Sequence, residues 1–398
     1  MTYARALLKI LMFNYEFPPI GGGGGWVTYF LGKHFVAAGH QVTVVTSQFE
    51  DLPATEVIEG MTIRRVPVWR KNRDVCAVYE MLTYVISSTY YGQSIAKIFQ
   101  PDVVQVFFGI PSGACAYWLQ RIQNLPYVVF LGGRDVPRPN PDPPYYRWLY
   151  LLLKPIIRSI WHKAEQVVAC SDGLRQLALA TDPEIAIDVI PDGLELDRFA
   201  CPDKACPRAG SGATDAESVK ILTIGRLIPR KGFQFLIQAI PQMVSRARNP
   251  FQIDIVGDGP YRAQLQKMVK DLKIEKYVHF SGSVDYADLP DKYQQADIFA
   301  LCSSAEGMPL VVLEAMGAGL PIVASKVQGI EDLVAVGQNG ALVEPGNIEQ
   351  ITDQLTNLIN HPDQRRRMGE TSVSRVQRYD WKNIAEAYLQ IYQRITQS

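Results

Sequence analysis

Lys9-Ile-Leu-Met-Phe-Asn14, glycines at 21–25, a helical pattern from Trp26 to Ala38, a stop at Gly39-His40 and then Gln41-Val-Thr-Val-Val-Thr46 form one strand–helix–strand unit. Two short β-type runs joined by a helix cannot pair as a hairpin. The helix carries the chain back to the same end, so the strands run parallel. The alternation continues outward, with strands expected at Thr62–Pro67, Val103–Phe107, Tyr127–Phe130, Gln166–Ala169 and Ile187–Ile190. From Cys201 to Ser218 the chain turns polar, Pro/Gly-rich and aperiodic, which reads as a linker. The βα alternation then restarts, with strands at Lys220–Ile224, Gln252–Val256, Val278–Ser281, Ile298–Cys302, Pro321–Ala324 and Ala341–Val343. The fold class is α/β: two Rossmann-like domains facing each other across a cleft. The expected domains are 1–195 and 219–378, joined by a linker at 196–218.

The bulk properties agree with this and exclude several classes. At 398 residues the chain exceeds one ordinary core. Lys+Arg and Asp+Glu are both 40, so charge makes no case for nucleic acid. The cysteines Cys76, Cys115, Cys170, Cys201, Cys206 and Cys302 show no metal-binding spacing and read as reduced thiols of a cytoplasmic protein. The first ten residues do not form a signal peptide, and no stretch reaches the roughly eighteen apolar residues of a membrane span.

Ligands of doubly wound sheets bind at the carboxyl ends of strands. After the strand ending at Ile224 comes Gly225-Arg226-Leu-Ile-Pro-Arg230-Lys231-Gly232, where Arg226 and Lys231 suit the oxygens of a diphosphate. The alternative is a solvated basic turn. After the strand ending at Cys302 comes Ser303-Ser-Ala-Glu306-Gly307-Met308-Pro309-Leu310-Val-Val-Leu-Glu314. Pro309 suits a first helical turn, and the backbone there would face phosphate or sugar oxygens. Dipole complementation accounts for Glu306 but not for Glu314, which falls within an apolar face.

These residues carry a resemblance. Gly-Arg-Leu…Lys-Gly at 225–232, Val256-Gly257-Asp-Gly-Pro260 and the Glu306…Glu314 element resemble the nucleotide-binding half of GT-B retaining glycosyltransferases, family 4, also called glycosyl transferases group 1. Phe17-Pro-Pro-Ile-Gly-Gly-Gly resembles that family's acceptor-side glycine loop, and Val189-Ile-Pro-Asp-Gly193 its interdomain segment. Residues 379–398 resemble its terminal helix, which crosses back to the first domain. The resemblance implies a hexosyltransferase. Arg226 and Lys231 would hold the donor diphosphate and Gly257 would belong to the donor site, with Gly22, Gly23 and Gly24 closing from the other domain. Glu306 and the Gly307, Met308, Pro309 and Leu310 backbone would hold the sugar, and Glu314 the ribose. Arg226, Lys231 and Glu306 are the catalytic candidates of this half. No cofactor is expected beyond a UDP- or GDP-linked sugar, and the acceptor would be a saccharide or lipid-linked hydroxyl.

The chain departs from the pattern twice. Gly132 stands where the family commonly has a histidine, and none of His34, His40, His162, His279 or His361 replaces it. Asp135 is therefore the candidate for orienting a hydroxyl. Val327-Gln-Gly-Ile-Glu331-Asp332 stands where Pro then Glu is usual. No Asp-x-Asp triplet occurs, which favours a site without a metal. Residues 145–163, rich in aromatic, aliphatic and basic groups, read as a core helix pair kinked at Pro155. The alternative is a helix in a membrane interface, serving a lipid-linked acceptor. Competing functions are a nucleotide-sugar epimerase and a binding protein of the same fold without turnover.

Overall fold

The computed structural model describes residues 7–73, 76–138, 145–200 and 218–397. The chain divides into two units, Met1–Asp192 together with Trp381–Ser398, and Gly193–Asp380. The segment 201–217, most of the expected linker, lies outside the described residues, as do Cys201 and Cys206.

The first unit contains β1 (Lys9–Phe13), α1 (Gly23–Ala37), β2 (Gln41–Ser47), β3 (Thr55–Ile58), β4 (Met61–Val66), α2 (Val78–Phe99), β5 (Val103–Phe107), α3 (Ser112–Gln123), β6 (Tyr127–Leu131), α4 (Tyr146–Lys163), β7 (Gln166–Ala169), α5 (Asp172–Thr181) and β8 (Ile187–Val189). Its strand order is β3-β4-β2-β1-β5-β6-β7-β8. Every residue of β5 and β6 is buried, as a parallel sheet covered on both faces requires.

Two details differ from the sequence reading. Strand β3, unexpected, pairs antiparallel with β4 at the sheet edge. It turns through Glu59 and Gly60, both at positive φ, a two-residue loop without the Asn-Gly signature that would mark it. Helix α1 starts at Gly23 rather than Trp26, because the Gly22 carbonyl already accepts from Gly25 and Trp26 N–H groups. Part of the glycine tract is thus the first helical turn.

The second unit contains α6 (Leu196–Phe199), β9 (Val219–Ile224), α7 (Phe233–Arg246), β10 (Phe251–Val256), α8 (Arg262–Asp271), β11 (Val278–Gly282), α9 (Leu289–Gln294), β12 (Ile298–Leu301), α10 (Leu310–Gly317), β13 (Ile322–Ser325), β14 (Gly340–Val343), α11 (Ile348–Asn360) and α12 (Pro362–Val376). All its strands are parallel, in the order β11-β10-β9-β12-β13-β14. Its core packs Ile221, Ile253 and Ile298 against Leu236, Ile240 and Leu355, all at most 1% exposed.

The chain ends in α13 (Trp381–Gln397), which belongs to the first unit. Trp381 stacks on Phe30 with ring centroids 5.8 Å apart. The buried Tyr392 hydroxyl donates to Gln105 Oε1 at 2.7 Å. Each sheet reverses direction beside its first strand, between β1 and β5 and between β9 and β12. Loops diverging at such a point leave a crevice at the strand carboxyl ends.

Candidate functional site

In the second unit the loops after β9 and β12 flank that crevice. Gly232 closes the first loop at φ +73°, and a Cβ there would lie 1.8 Å from the Cys302 carbonyl oxygen. Only glycine lets the two backbones approach so closely. That approach brings Lys231 to Glu306, with Nζ 2.8 Å from Oε1. Burial works against the Glu306 charge, but Lys231 and Arg230 outweigh it and hold the carboxyl below its usual range. Arg226, half-buried on the same loop, makes no side-chain hydrogen bond or ion pair among the described residues.

The neighbouring loops are fitted as tightly. Gly257, after β10, faces the Gly225 carbonyl, 2.1 Å from where a Cβ would be. Gly329, at φ +78°, would place a Cβ 1.6 Å from the Gly307 carbonyl oxygen. The 327–332 segment therefore packs against residue 307 through backbone. The Asp332 backbone carbonyl accepts hydrogen bonds from Arg378 and Tyr379.

Helix α10 begins at Leu310, and Pro309 is its N-cap rather than part of its first turn. Met308 and Pro309 are buried, and no side chain caps this end. Glu314, in the second turn, is buried and accepts a hydrogen bond from the Tyr293 hydroxyl at 2.6 Å. Burial pushes its carboxyl up to about 7, opposed in part by Tyr293 and by Arg198. Neither Tyr293 nor Arg198 stood out in the sequence. Arg198 is anchored by Nη2 to the Tyr286 carbonyl at 2.7 Å and lies over the Tyr286 ring.

In the first unit, the loops after β1, β5 and β6 carry the remaining candidates. Gly22 N–H donates to Glu16 Oε2 at 3.2 Å, and the Gly24 carbonyl accepts from Asn14 Nδ2 at 3.0 Å. Gly23 is exposed at the start of α1. Asp135 is buried and accepts three backbone N–H groups, from Gly109 at 2.9 Å, Gly132 at 3.2 Å and Gly133 at 2.8 Å. Burial raises its pKa despite these bonds. Three of about four lone-pair directions are occupied, so its first task is to tie the loop after β5 to the loop after β6.

The missing histidine has a steric counterpart. A Cβ on Gly132 would lie 2.6 Å from Phe108 Cε1, and one on Gly24 would lie 2.3 Å from Phe108 Cζ. The half-buried Phe108 ring fills the space between the two glycines. Among the described residues, no group of three or more His, Cys, Asp or Glu converges as metal ligands would.

Comparison with known proteins identifies relatives over most of the chain. Residues 210–375 match the family described as glycosyl transferases group 1, and residues 22–193 match the glycosyl transferase 4-like domain. The GDP-mannose-dependent alpha-(1-6)-phosphatidylinositol monomannoside mannosyltransferase of Mycolicibacterium smegmatis is 32% identical over 221 residues. That match covers 54% of this chain and 58% of the relative, so the chain spans a little over half the length of this protein. The N-acetyl-alpha-D-glucosaminyl L-malate synthase of Bacillus anthracis is 26% identical over 94% of both chains. Among solved structures, a sucrose-phosphate synthase from Thermosynechococcus elongatus superposes with a TM-score of 0.83 at 21% identity, covering 98% of this chain and 99% of its own. An Anabaena protein in complex with UDP-glucose superposes with a TM-score of 0.76 at 19% identity, covering 98% and 100%. The fold is the GT-B architecture of two parallel-sheet α/β domains.

Proposed function

Because the chain belongs to the glycosyl transferases group 1 family, we propose that it moves a hexose from a nucleotide-diphosphate sugar to a saccharide or lipid-linked hydroxyl, with anomeric retention and without a metal ion. The observation that carries this reading is the half-buried Arg226, without a side-chain partner among the described residues, on the loop that delivers Lys231. A guanidinium left unmatched at a strand end is suited to an incoming anion. Lys231 is already matched by Glu306, so the pair adds little net charge until ligand arrives. The diphosphate would then draw on Lys231 while Glu306 turns to sugar hydroxyls.

The reaction follows from this placement. The bond from the anomeric carbon to the diphosphate breaks, and negative charge gathers on the leaving oxygen. Arg226 and Lys231 stabilise that charge in place, the task a divalent ion performs elsewhere. The acceptor oxygen bonds to the same face of the anomeric carbon, and its proton passes to the departing phosphate. This proton route needs no protein base, which agrees with glycine at 132. Glu314 would receive ribose hydroxyls on the oxygen that Tyr293 leaves open. The GDP-mannose named for one relative and the UDP-glucose named for one neighbour make these the first donors to test.

The test is nucleoside-diphosphate release from GDP- and UDP-sugars, with saccharide and lipid-linked acceptors, with and without EDTA. Release that EDTA leaves unchanged is expected. Arg226→Ala should lower kcat about 10²–10³-fold, the loss typical of one preorganised charge-stabilising donor. No release from any donor would overturn the transferase reading. Phe108 over Gly132 favours one second reading, a nucleotide-sugar-binding protein without turnover. Calorimetric binding of donor without release would support it.

A further inference from the structure

Helix α4 is not the core helix pair that its sequence suggested. It runs unbroken from Tyr146 to Lys163 through Pro155, and only Ile157, Ile160 and Trp161 are buried. Its opposite face is exposed: Trp148 is 76% and Leu152 74% accessible, with Leu151 and Ile156 beside them. At three- and four-residue spacing this stripe continues into Ser159 and Lys163. One helix face is therefore apolar in its first half and polar and basic in its second.

The basic half borders an open cavity of about 490 Å³ between α3 and α4, lined among others by Tyr117, Arg121, Arg158, His162 and Lys163. Buried Asp182 takes up Arg158 at 2.8 Å and His162 at 2.7 Å from behind. Arg121 lies over the Tyr117 ring at 5.1 Å. Neither Arg121 nor Lys163 forms an ion pair among the described residues. Helices α3 and α4 together hold five Lys and Arg and no Asp or Glu, in a chain whose net charge is zero. Trp118 and Ile122 extend the exposed apolar surface onto α3. No helix among the described residues is long and apolar enough to cross a membrane.

We propose that this face is a docking surface for an anionic lipid bilayer. The apolar half of α4 enters the interface, and the cavity takes phosphate-bearing head groups through Arg121 and Lys163. Exposed apolar area alone would fit several partners. Arg121 and Lys163, without ion pairs among the described residues and beside exposed tryptophan and leucine, single out a negatively charged interface. A lipid-linked acceptor gives the surface its purpose, and to that extent the proposal rests on the function above.

The test is co-sedimentation of the full chain with vesicles of phosphatidylcholine alone and with about one third phosphatidylglycerol, with the lipid composition alone setting the charge. Binding to the anionic vesicles only, weakened by added salt, is expected. Exchanging both cations, Arg121→Gln with Lys163→Gln, should lower the partition coefficient about twenty-five-fold, near fivefold per charge. Trp148→Ala with Leu152→Ala should lower it at least tenfold. These side chains are surface-exposed, and an unchanged melting temperature would confirm that the variants fold. Ten millimolar inorganic phosphate that abolished sedimentation at constant ionic strength would assign the cavity to free phosphate and overturn the lipid assignment. Absence of binding to anionic vesicles, or binding unchanged in the Arg121/Lys163 variant, would also overturn it, as would lipid-independent self-association through this face. Sedimentation needs no donor, so a protein that binds vesicles but transfers no sugar would defeat the function and leave this proposal standing.

Discussion

Phe108 holds φ at +72°, a conformation that bulky side chains rarely adopt. Its ring occupies the space that side chains at 24 and 132 would need. Gly132→His should therefore destabilise the fold by about 1–3 kcal/mol, the usual cost of overpacking. Phe108→Ala in the same chain should recover part of it, read from urea midpoints. If Gly132→His alone cost nothing, the steric account would fail. Glu314 has the opposite problem, a buried carboxyl without a cation bonded to it. Its folded pKa of about 7 lies above the unfolded value, so the folded state keeps the proton longer. The stability it contributes is full below about pH 4 and is lost as pH rises through 7. At pH 8 the buried charge costs about 3 kcal/mol. Glu314→Gln should thus be more stable than the parent at pH 8 and equal at pH 4, while donor binding weakens. Denaturation at the two pH values checks the first part, and equal stability at pH 8 would refute it. The Glu306 and Glu314 pair stood out because one shortly precedes a helix start and the other interrupts that helix's apolar face. Tyr293 was not, because its hydroxyl meets Glu314 only after α9 and α10 pack, and nothing local marks it.

At the scale of elements, apolar runs bounded by turns located the strands of both sheets, most of which are parallel strands buried on both faces. The exception, β3, is half-exposed at an edge, where burial leaves no pattern to read. Helix α4 shows the converse failure. Its leucines and aromatics look like core in sequence, yet composition does not say which side another element covers. The glycines between elements were legible as turns, but not as contacts. Gly329→Ala would need to move the Gly307 backbone, since its Cβ would overlap that carbonyl. The expected result is loss of the donor-induced rise in melting temperature, which for the parent would be about 2.7 kcal/mol of stabilisation at a hundredfold excess over Kd. A full donor-induced shift in that variant would separate the 327–332 loop from the site.

At the scale of the whole molecule, the division into units does not follow chain order, since α13 packs with residues that precede Asp192. Trp381, Tyr388 and Tyr392 are each at most 2% exposed there. A chain ending at Asp380 should retain one cooperative transition, that of the second unit, and leave the first open to protease. Calorimetry with limited proteolysis reads this, and a protected first unit would show that α13 is dispensable.

The same helix sets the order of events during synthesis. The first unit leaves the ribosome before the second, but the aromatic side chains that close its core follow only after all of the second unit has been made. For that interval Phe30 and Phe35 lack their ring partners Trp381 and Tyr392. The half translated first is thereby completed last, and for most of translation it is the half that needs protection from aggregation.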